Sequence, residues 1–335
     1  MKIIVPMAGM GKRLRPHTLT TPKPLLPIAG KPIVQRLVED ITAICKGKVE
    51  EIAYIIGDFG PEAEKHLLQV ASDLGAKGSI YHQDEALGTA HAIWCARQSL
   101  SGEVIVAFAD TLFRADFDLD PTADGVIWVK SVEDPRQFGV VTVNHNGDIQ
   151  AFVEKPETFV SDLAIIGIYY FRDGNMLLNE INYLLDNDIK DKGEFQLTNA
   201  LENMKNKGLR FLPGKVEDWM DCGNKANVLE TNTKVLHYLA ADENLPSVPP
   251  NVSLENAWIV EPCYIGEGVI IENSIVGPNV SLGKGVHIRN AIVRNSILRD
   301  GASVKSAIVD NSILGNNSVH HDVPDELNLG DYSVS

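Results

Sequence analysis

Apolar residues follow two different rhythms along this chain, and the rhythm changes near residue 250. In the first part, short apolar runs alternate with stretches of helical spacing. Residues 2–6, KIIVP, read as a short buried strand. Ile33, Val34, Leu37, Val38, Ile41 and Ile44 then recur with the period of a helix, and Pro32 suits its first turn. EEIAYIIG predicts a strand, residues 61–74 a helix, KGSIYHQ a strand, TAHAIWCARQSL a helix, EVIVAFAD (103–110) a strand, and GVIWVK another. VVTVNHNGDIQAFVEKP predicts a hairpin with Asn146 and Gly147 at its turn. Strands that alternate with helices predict an α/β domain on a Rossmann-like, mostly parallel sheet.

From about Asn251 helical periodicity stops. An aliphatic-Gly-x-(Gly/Asn)-Val motif recurs as IGEGV at 265, VGPNV at 276 and LGKGV at 282. A second motif recurs as NSIV at 273, NAIV at 290, NSIL at 295, SAIV at 306 and NSIL at 311. Short strands repeated with turn residues between them predict a β-solenoid, in which each coil buries its aliphatic side chains against its neighbours. The expected organisation is an α/β domain over 1–240, a linker over 241–250, a parallel β-helix of hexapeptide-like repeats over 251–322, and a polar tail over 323–335. Exposed terminal coils need capping or pairing, so a homo-oligomer with contacts through 251–322 is expected.

Composition adds limits. Hydrophobic residues make up 44% of the 335, enough for a sizeable core in about two domains. Cys45, Cys95, Cys222 and Cys263 form no C-x-x-C pair, which argues against a zinc site or a disulfide framework and fits a reducing compartment. No apolar run approaches the roughly 18 residues of a membrane span, and MKIIVPMAG is too short a start for a signal peptide, so a soluble cytoplasmic protein is expected. The net charge of −15 excludes general affinity for nucleic acid. Yet the first acidic residue is Glu39, and Lys2, Lys12, Arg13, Arg15, Lys23, Lys31 and Arg36 all precede it. A locally positive segment in an acidic chain points to a small anionic ligand.

That segment contains GMGKRLRPHTLTTPKPLLPIAGKP, residues 9–32. It lacks the G-x-x-x-x-G-K-[ST] phosphate loop, and Leu14 stands where the dinucleotide pattern G-x-G-x-x-G needs its third glycine. Five prolines between Pro16 and Pro32 forbid a regular helix. Such a loop holds an anion through backbone N–H groups, with Lys and Arg supplying charge.

PMAGMGKRLRP followed by TPKPLLPIAGKP resembles the signature of the sugar-1-phosphate nucleotidylyltransferases, which join a nucleoside triphosphate to a sugar 1-phosphate and release pyrophosphate. YHQDEALGTAHA (81–92) resembles that family's base-recognition segment and ADTLF (109–113) its metal-binding segment. EDPRQFGVV (133–141), EKP (154–156), AIIGIYYF (164–171), KGEFQLTNAL (192–201) and DWMDCG (218–223) follow in the family's order. The usual A-G-G-x-G-T-R loop is one residue shorter here, running Ala8-Gly9-Met10-Gly11-Lys12-Arg13. The repeats after residue 251 match relatives with a C-terminal left-handed β-helix.

The resemblance implies a role for particular residues. Arg13 and Lys23 would be catalytic, the first forking onto triphosphate oxygens and the second adding a point charge. Ala8, Gly9, Gly11, Gln83 and Gly88 would bind the nucleotide, with Gln83 and Gly88 at the base. Gly139, Glu154, Lys155 and Gly167 would form the sugar-phosphate pocket. Asp110 and Asp221 would hold one Mg²⁺, an ion that takes one or two carboxylates and completes its shell with phosphate and water. Substitution at the α-phosphorus needs alignment and charge neutralisation more than a covalent nucleophile. In keeping with that, no Ser/His/Asp or Cys/His arrangement stands out.

An amide reads the imide edge of thymine or uracil well, so dTTP or UTP with glucose 1-phosphate is the first expectation. UTP with N-acetylglucosamine 1-phosphate and GTP with mannose 1-phosphate come after it. Two other readings remain. One is a bifunctional uridylyltransferase/acetyltransferase, with His287 as its candidate in the solenoid. The other is a non-catalytic regulatory relative, which would have shed one of Arg13, Lys23, Asp110 or Asp221. Two further clusters read as bland. DFDLDPTAD (116–124) mimics a calcium loop, but Pro121 stands where glycine is needed and Ile127 where glutamate is. His320, His321 and Asp322 offer metal ligands, but adjacent histidines at a chain end read as unstructured.

Overall fold

The computed structural model describes residues 1–45, 49–115 and 119–323. They form two compact units: residues 1–26 with 32–223, and residues 27–31 with 224 onward. Asp116–Asp118 of the aspartate-rich segment and residues 324–335 of the expected tail lie outside the described residues.

The first unit is built on a nine-stranded mixed sheet. At its centre is Lys2–Pro6, where Ile3, Ile4 and Val5 are fully buried. It pairs in parallel with Glu51–Ile56 on one side and Val104–Ala107 on the other, and Lys77–His82 extends the parallel array. Every residue of Glu51–Ile56 is buried, as a parallel strand covered on both faces requires. The helix Ile33–Ile44 buries Ile33, Val34, Leu37, Val38 and Ile41, most of the stripe expected from its spacing. Pro32 caps it rather than entering its first turn. Pro61–Asp73 and Thr89–Cys95 are the next helices.

Two boundaries differ from expectation. The helix expected over 89–100 stops at Cys95. There Ala96 N donates to Ile93 O at 3.0 Å, and the chain tightens into a 3-10 turn over Arg97–Ser99. The strand expected to reach Asp110 ends at Ala107, because Phe108 N turns to Gly167 O at 2.9 Å. Thr111–Arg114 then starts a separate antiparallel pair with Asp218–Asp221.

Beyond Val104–Ala107 the sheet changes direction. Leu163–Phe171 runs antiparallel to it and also to Gly125–Ser131 and Gly139–Val143. Gly139–Val143 forms the expected hairpin with Ile149–Glu154, its turn closed by Gly147 N to Asn144 O at 3.0 Å. Phe211–Lys215 pairs in parallel with Gly125–Ser131. Within the described part of the aspartate-rich segment, Asp120 accepts hydrogen bonds from Thr122 N and Oγ1 at 2.8 and 2.6 Å and lies near Arg210. That is a turn tied to a cation.

The second unit contains the helix Lys225–Ala241 and a curled, all-parallel stack of short strands, consistent with a left-handed β-helix. Residues 224–240, expected with the α/β domain, group here. The buried Asn232 on this helix accepts from Ala29 N at 3.0 Å and from Ser281 Oγ at 2.7 Å. One amide oxygen thereby ties the helix to the segment 27–31 and to a solenoid strand.

Each coil advances by 16 or 17 residues, as the stacked side-chain pairs show. Val269, Ile271, Val276, Val280, Leu282, Val286, Ile288 and Val293 fill its axis with no exposure. The first residue of each Asn-Ser-Ile-type motif turns a corner at positive φ: Asn273 at 47°, Asn290 at 50°, Asn295 at 46°, Ser306 at 52° and Asn311 at 48°. Asparagine tolerates the left-handed region better than other side chains because its short amide bonds locally. Its amides also stack, with Asn256 Nδ2 donating to Asn273 Oδ1 at 3.0 Å and Asn279 Nδ2 to Asn295 Oδ1 at 2.9 Å.

All four cysteines are free thiols. Among the described residues no helix is long and apolar enough to cross a membrane.

A β-branched residue at such a corner conflicts with the left-handed backbone. Asn290→Val is expected to cost about 1–2 kcal/mol of solenoid stability, read as a lowered thermal midpoint. Asn290→Gly should keep most of it. Equal midpoints for the two variants would refute the backbone argument.

Candidate active site

The parallel strands at the centre of the sheet all end on one edge. Ligands of α/β sheets gather beyond that edge, in the loops that leave the strands. Here the loops after Pro6, Ile56, His82 and Ala107 enclose a cavity of about 640 Å³. Its walls include Ala8, Gly9, Gly11, Lys23, Gln83, Gly88 and Asp110. Seven of the residues singled out in the sequence therefore meet in one place. A larger groove of about 980 Å³ lies on the solenoid, but it is walled by Asn, Ser, Ala, Ile and Trp side chains with Asp322 the one ionisable member. The charged and glycine-rich walls belong to the smaller cavity.

Gly11 adopts φ 80°, and a β-carbon there would stand 2.6 Å from Lys23 Cβ. Its missing side chain is what lets the lysine pass. Lys23 opens a 3-10 turn between Pro22 and Pro24, and its ammonium reaches Asp110 Oδ2 at 2.8 Å. The lysine side chain is 13% exposed and the aspartate's 40%.

Asp110 is joined to Asp221 through the backbone. Cys222 N donates to Asp110 O at 2.9 Å, and Asp221 sits opposite Thr111 in the antiparallel pair. Beside them lies Arg13. From the point where a β-carbon on Gly223 would stand, the Asp221 carboxylate oxygens are 3.0 and 3.1 Å away and Arg13 Nη2 is 3.3 Å away. Two cations and two carboxylates, drawn from three distant stretches of chain, thus form one cluster. Among the described residues no group of three or more His, Cys, Asp or Glu gathers as a metal site. A two-carboxylate set, Asp110 in the turn before Thr111–Arg114 and Asp221 on the strand paired with it, with oxygen donors only, fits Mg²⁺, which leaves most of its shell to phosphate and water.

Gly139, Glu154 and Lys155 form a second cluster. Gly139 and Glu154 are paired across the hairpin. Glu154 Oε2 accepts from Thr198 Oγ1 at 3.2 Å, and Lys155 Nζ lies 3.5 Å from Glu154 Oε1. Gly167 sits apart from these three, behind Phe108, whose backbone N–H it receives. Tyr169 is buried within reach of charges from both clusters. Burial, with the charges of Glu154 and Asp110 adding to it, raises its phenol far above the usual range.

Several wall residues were not singled out in the sequence: Gly57, Asp58, Asp84, Thr89, Phe108 and Glu194. The role of KGEFQLTNAL becomes plain in three dimensions. Phe195 N donates to Leu87 O at 2.8 Å, Ala90 N to Phe195 O at 2.9 Å and Leu197 N to Thr89 Oγ1 at 2.9 Å. This segment stitches the loop around Gly88 to the sheet. His91 was also passed over, and its ring nitrogen Nδ1 lies 3.2 Å from Gln83 Nε2. Burial lowers its pKa, while the charge of Glu85 pulls the other way. Elsewhere, His287 Nε2 faces Glu272 Oε2 at 3.2 Å on the solenoid, a carboxylate it shares with Arg289. His320 lies 3.8 Å from Asp322 at the exposed end.

The family model described as nucleotidyl transferase matches residues 2–237. The chain is 31% identical to the low-salt glycan biosynthesis nucleotidyltransferase Agl11 of Haloferax volcanii, over 70% of this chain and 66% of that protein. It is 29% identical to the glucose-1-phosphate thymidylyltransferase of Streptomyces antibioticus, over 99% of this chain and 98% of that one. The bifunctional protein GlmU of Methanococcus maripaludis is 30% identical, and the chain spans 62% of its length. A crystal structure of UDP-glucose pyrophosphorylase complexed with UDP-glucose superposes with a TM-score of 0.57 at 24% identity, covering 71% of this chain and 98% of that one. That likeness concerns the fold.

Gly88 has φ 117°, and a β-carbon there would stand 2.5 Å from Phe195 O and 2.7 Å from Phe195 N. Gly88→Ala must push the stitched segment away, at an expected cost of about 1–3 kcal/mol. Thermal unfolding of the variant should show a clear fall in midpoint, and an unchanged midpoint would disprove the close packing.

Proposed function

This chain belongs to the nucleotidyl transferase family, and we propose that it joins a nucleoside triphosphate to a sugar 1-phosphate and releases pyrophosphate. The observation that carries the reading is the convergence of the Ala8–Gly11 loop, Lys23, Gln83, Gly88 and Asp110 on one cavity at the carboxyl edge of the parallel strands. In this reading Gln83 and Gly88 meet the base, and the loop offers backbone N–H groups to the phosphates. Arg13 and Lys23 stabilise the charge that spreads over the phosphates as the bond to pyrophosphate breaks. Glu154 accepts from sugar hydroxyls, Lys155 holds the sugar phosphate, and Gly139 leaves room beside them, with Gly167 on the Phe108 side of the sugar-phosphate pocket. Asp110 and Asp221 would hold Mg²⁺, whose charge neutralises the phosphate oxygens. The remaining work, aligning the sugar-phosphate oxygen with the α-phosphorus, falls to the two binding clusters.

We take dTTP or UTP, whose imide bases suit the amide of Gln83, as the triphosphate and glucose 1-phosphate as the sugar. The full-length similarity to a protein called a glucose-1-phosphate thymidylyltransferase supports this pairing. GTP with mannose 1-phosphate is the next choice. Pyrophosphate release, measured over four triphosphates and several sugar 1-phosphates, tests the proposal, and no release from any pair would overturn it. Asp110→Asn should cut turnover by roughly 10²-fold, the scale of one lost electrostatic contact in the transition state. It should also raise the Mg²⁺ concentration needed. Wild-type turnover in this variant would remove the metal assignment.

The solenoid is proposed to carry self-association. Trp258, Ile275, Ile292 and Ile308 stand in register on successive coils and are 73%, 42%, 37% and 68% exposed. Such a continuous apolar ladder suits a second copy of the chain better than water. Ile308→Lys, placed at an exposed position, should lower the mass measured by light scattering without lowering the thermal midpoint. An unchanged mass would count against this interface.

A further inference from the structure

Gln83 follows the strand Lys77–His82, and its backbone N–H is fixed on Ile56 O at 2.9 Å. Its side-chain nitrogen has two neighbours. One is Gly88 O at 3.4 Å and the other is His91 Nδ1 at 3.2 Å. A carbonyl oxygen accepts and never donates, so the contact with Gly88 O settles which end of the amide faces inward. The second contact then assigns the imidazole. With an amide N–H pointing at it, Nδ1 must be the unprotonated nitrogen and Nε2 must carry the hydrogen. Both N–H groups of Gln83 are therefore spent inside the protein. The carbonyl oxygen is the group left for the cavity that Gln83 lines, and among the described residues it accepts no hydrogen bond.

The imidazole is itself held in place. It stacks on Trp94 with centroids 6.0 Å apart and planes 21° from parallel. The Trp94 indole donates to Asn182 Oδ1 at 2.9 Å, and the Arg97 guanidinium lies over its ring at 4.1 Å. Burial favours the neutral ring, which is the form able to accept.

Building on the reading of this cavity as the nucleotide site, we infer that His91 is a positioning residue for base selection, locking Gln83 as a hydrogen-bond acceptor toward the base. An acceptor that faces the ring nitrogen of the base requires a ring N–H there. Uracil and thymine offer N3–H, and guanine offers N1–H. Cytosine N3 and adenine N1 carry lone pairs, so two acceptors would face each other with no proton between them. Without His91, only the longer 3.4 Å contact with Gly88 O holds the Gln83 amide, so it turns over more readily to present its N–H groups, and that discrimination relaxes. Selection among imide bases lies outside this contact.

The test compares wild type, His91→Leu and His91→Asn with dTTP, UTP, CTP and ATP. Turnover is read by pyrophosphate release, and binding of the magnesium triphosphate by calorimetry. Leucine fills the space without accepting. Asparagine places Oδ1 close to where Nδ1 stood. His91→Leu should raise KM and Kd for the preferred imide triphosphate roughly tenfold, the scale of one lost hydrogen bond, with kcat within about twofold. Its preference over CTP should fall by a similar factor. His91→Asn should return both quantities to within about threefold of wild type. Unchanged discrimination in His91→Leu, or equal damage in both variants, overturns the inference. Gln83→Leu separates the inference from the reading beneath it. If wild type turns over but Gln83→Leu keeps its base preference, the base lies elsewhere and only this inference falls. If wild type neither binds nor turns over any triphosphate, the function fails and the inference with it.

Discussion

Parallel pairing of Lys2–Pro6 with its two neighbours is the constraint from which the site follows. Parallel strands release their chains at the same edge of the sheet. The segments after Pro6, Ile56, His82 and Ala107 therefore have no choice but to crowd together there. The first segment brings the glycine loop and, through its prolines, Lys23. The third brings Gln83 and Gly88, and the fourth brings Asp110. The ion pair between Lys23 and Asp110, 87 residues apart in sequence, is a product of that register.

Where the sheet turns antiparallel, a different logic operates. Leu163–Phe171 reverses direction beside Val104–Ala107 and carries the hairpin whose ends hold Gly139 and Glu154. The same reversal places Gly167 against Phe108 and buries Tyr169 within reach of charges from both clusters. The sheet thus presents one cluster from its parallel half and the other from its antiparallel half.

The solenoid obeys neither rule. Each coil is too short to bury its own aliphatic residues, so stability comes from stacking and from the corner residues that let the chain turn. Asparagines at positive φ serve twice, accepting the strained backbone and bonding to their counterparts on the next coil. Asn232 uses the same amide chemistry in a buried setting to hold helix, loop and coil together.

Much of this could be read along the chain. Hydrophobic period alone marked the central strands, the helix at 33–44 and the switch to repeats after residue 251, because burial imposes those spacings directly. The ordered motifs pointed to the residues that line the cavity, because phosphate chemistry restricts the side chains it can use. Tertiary structure decided what depends on partners far away in sequence. It ended the strand at Ala107 through Gly167, ended the helix at Cys95, grouped residues 224–240 with the solenoid, and made KGEFQLTNAL a brace for Gly88. It also gave Gln83 its orientation. A glutamine in a sequence both donates and accepts, and only the neighbours that folding brings to it, Gly88 O and His91 Nδ1, determine which of the two it has left to offer.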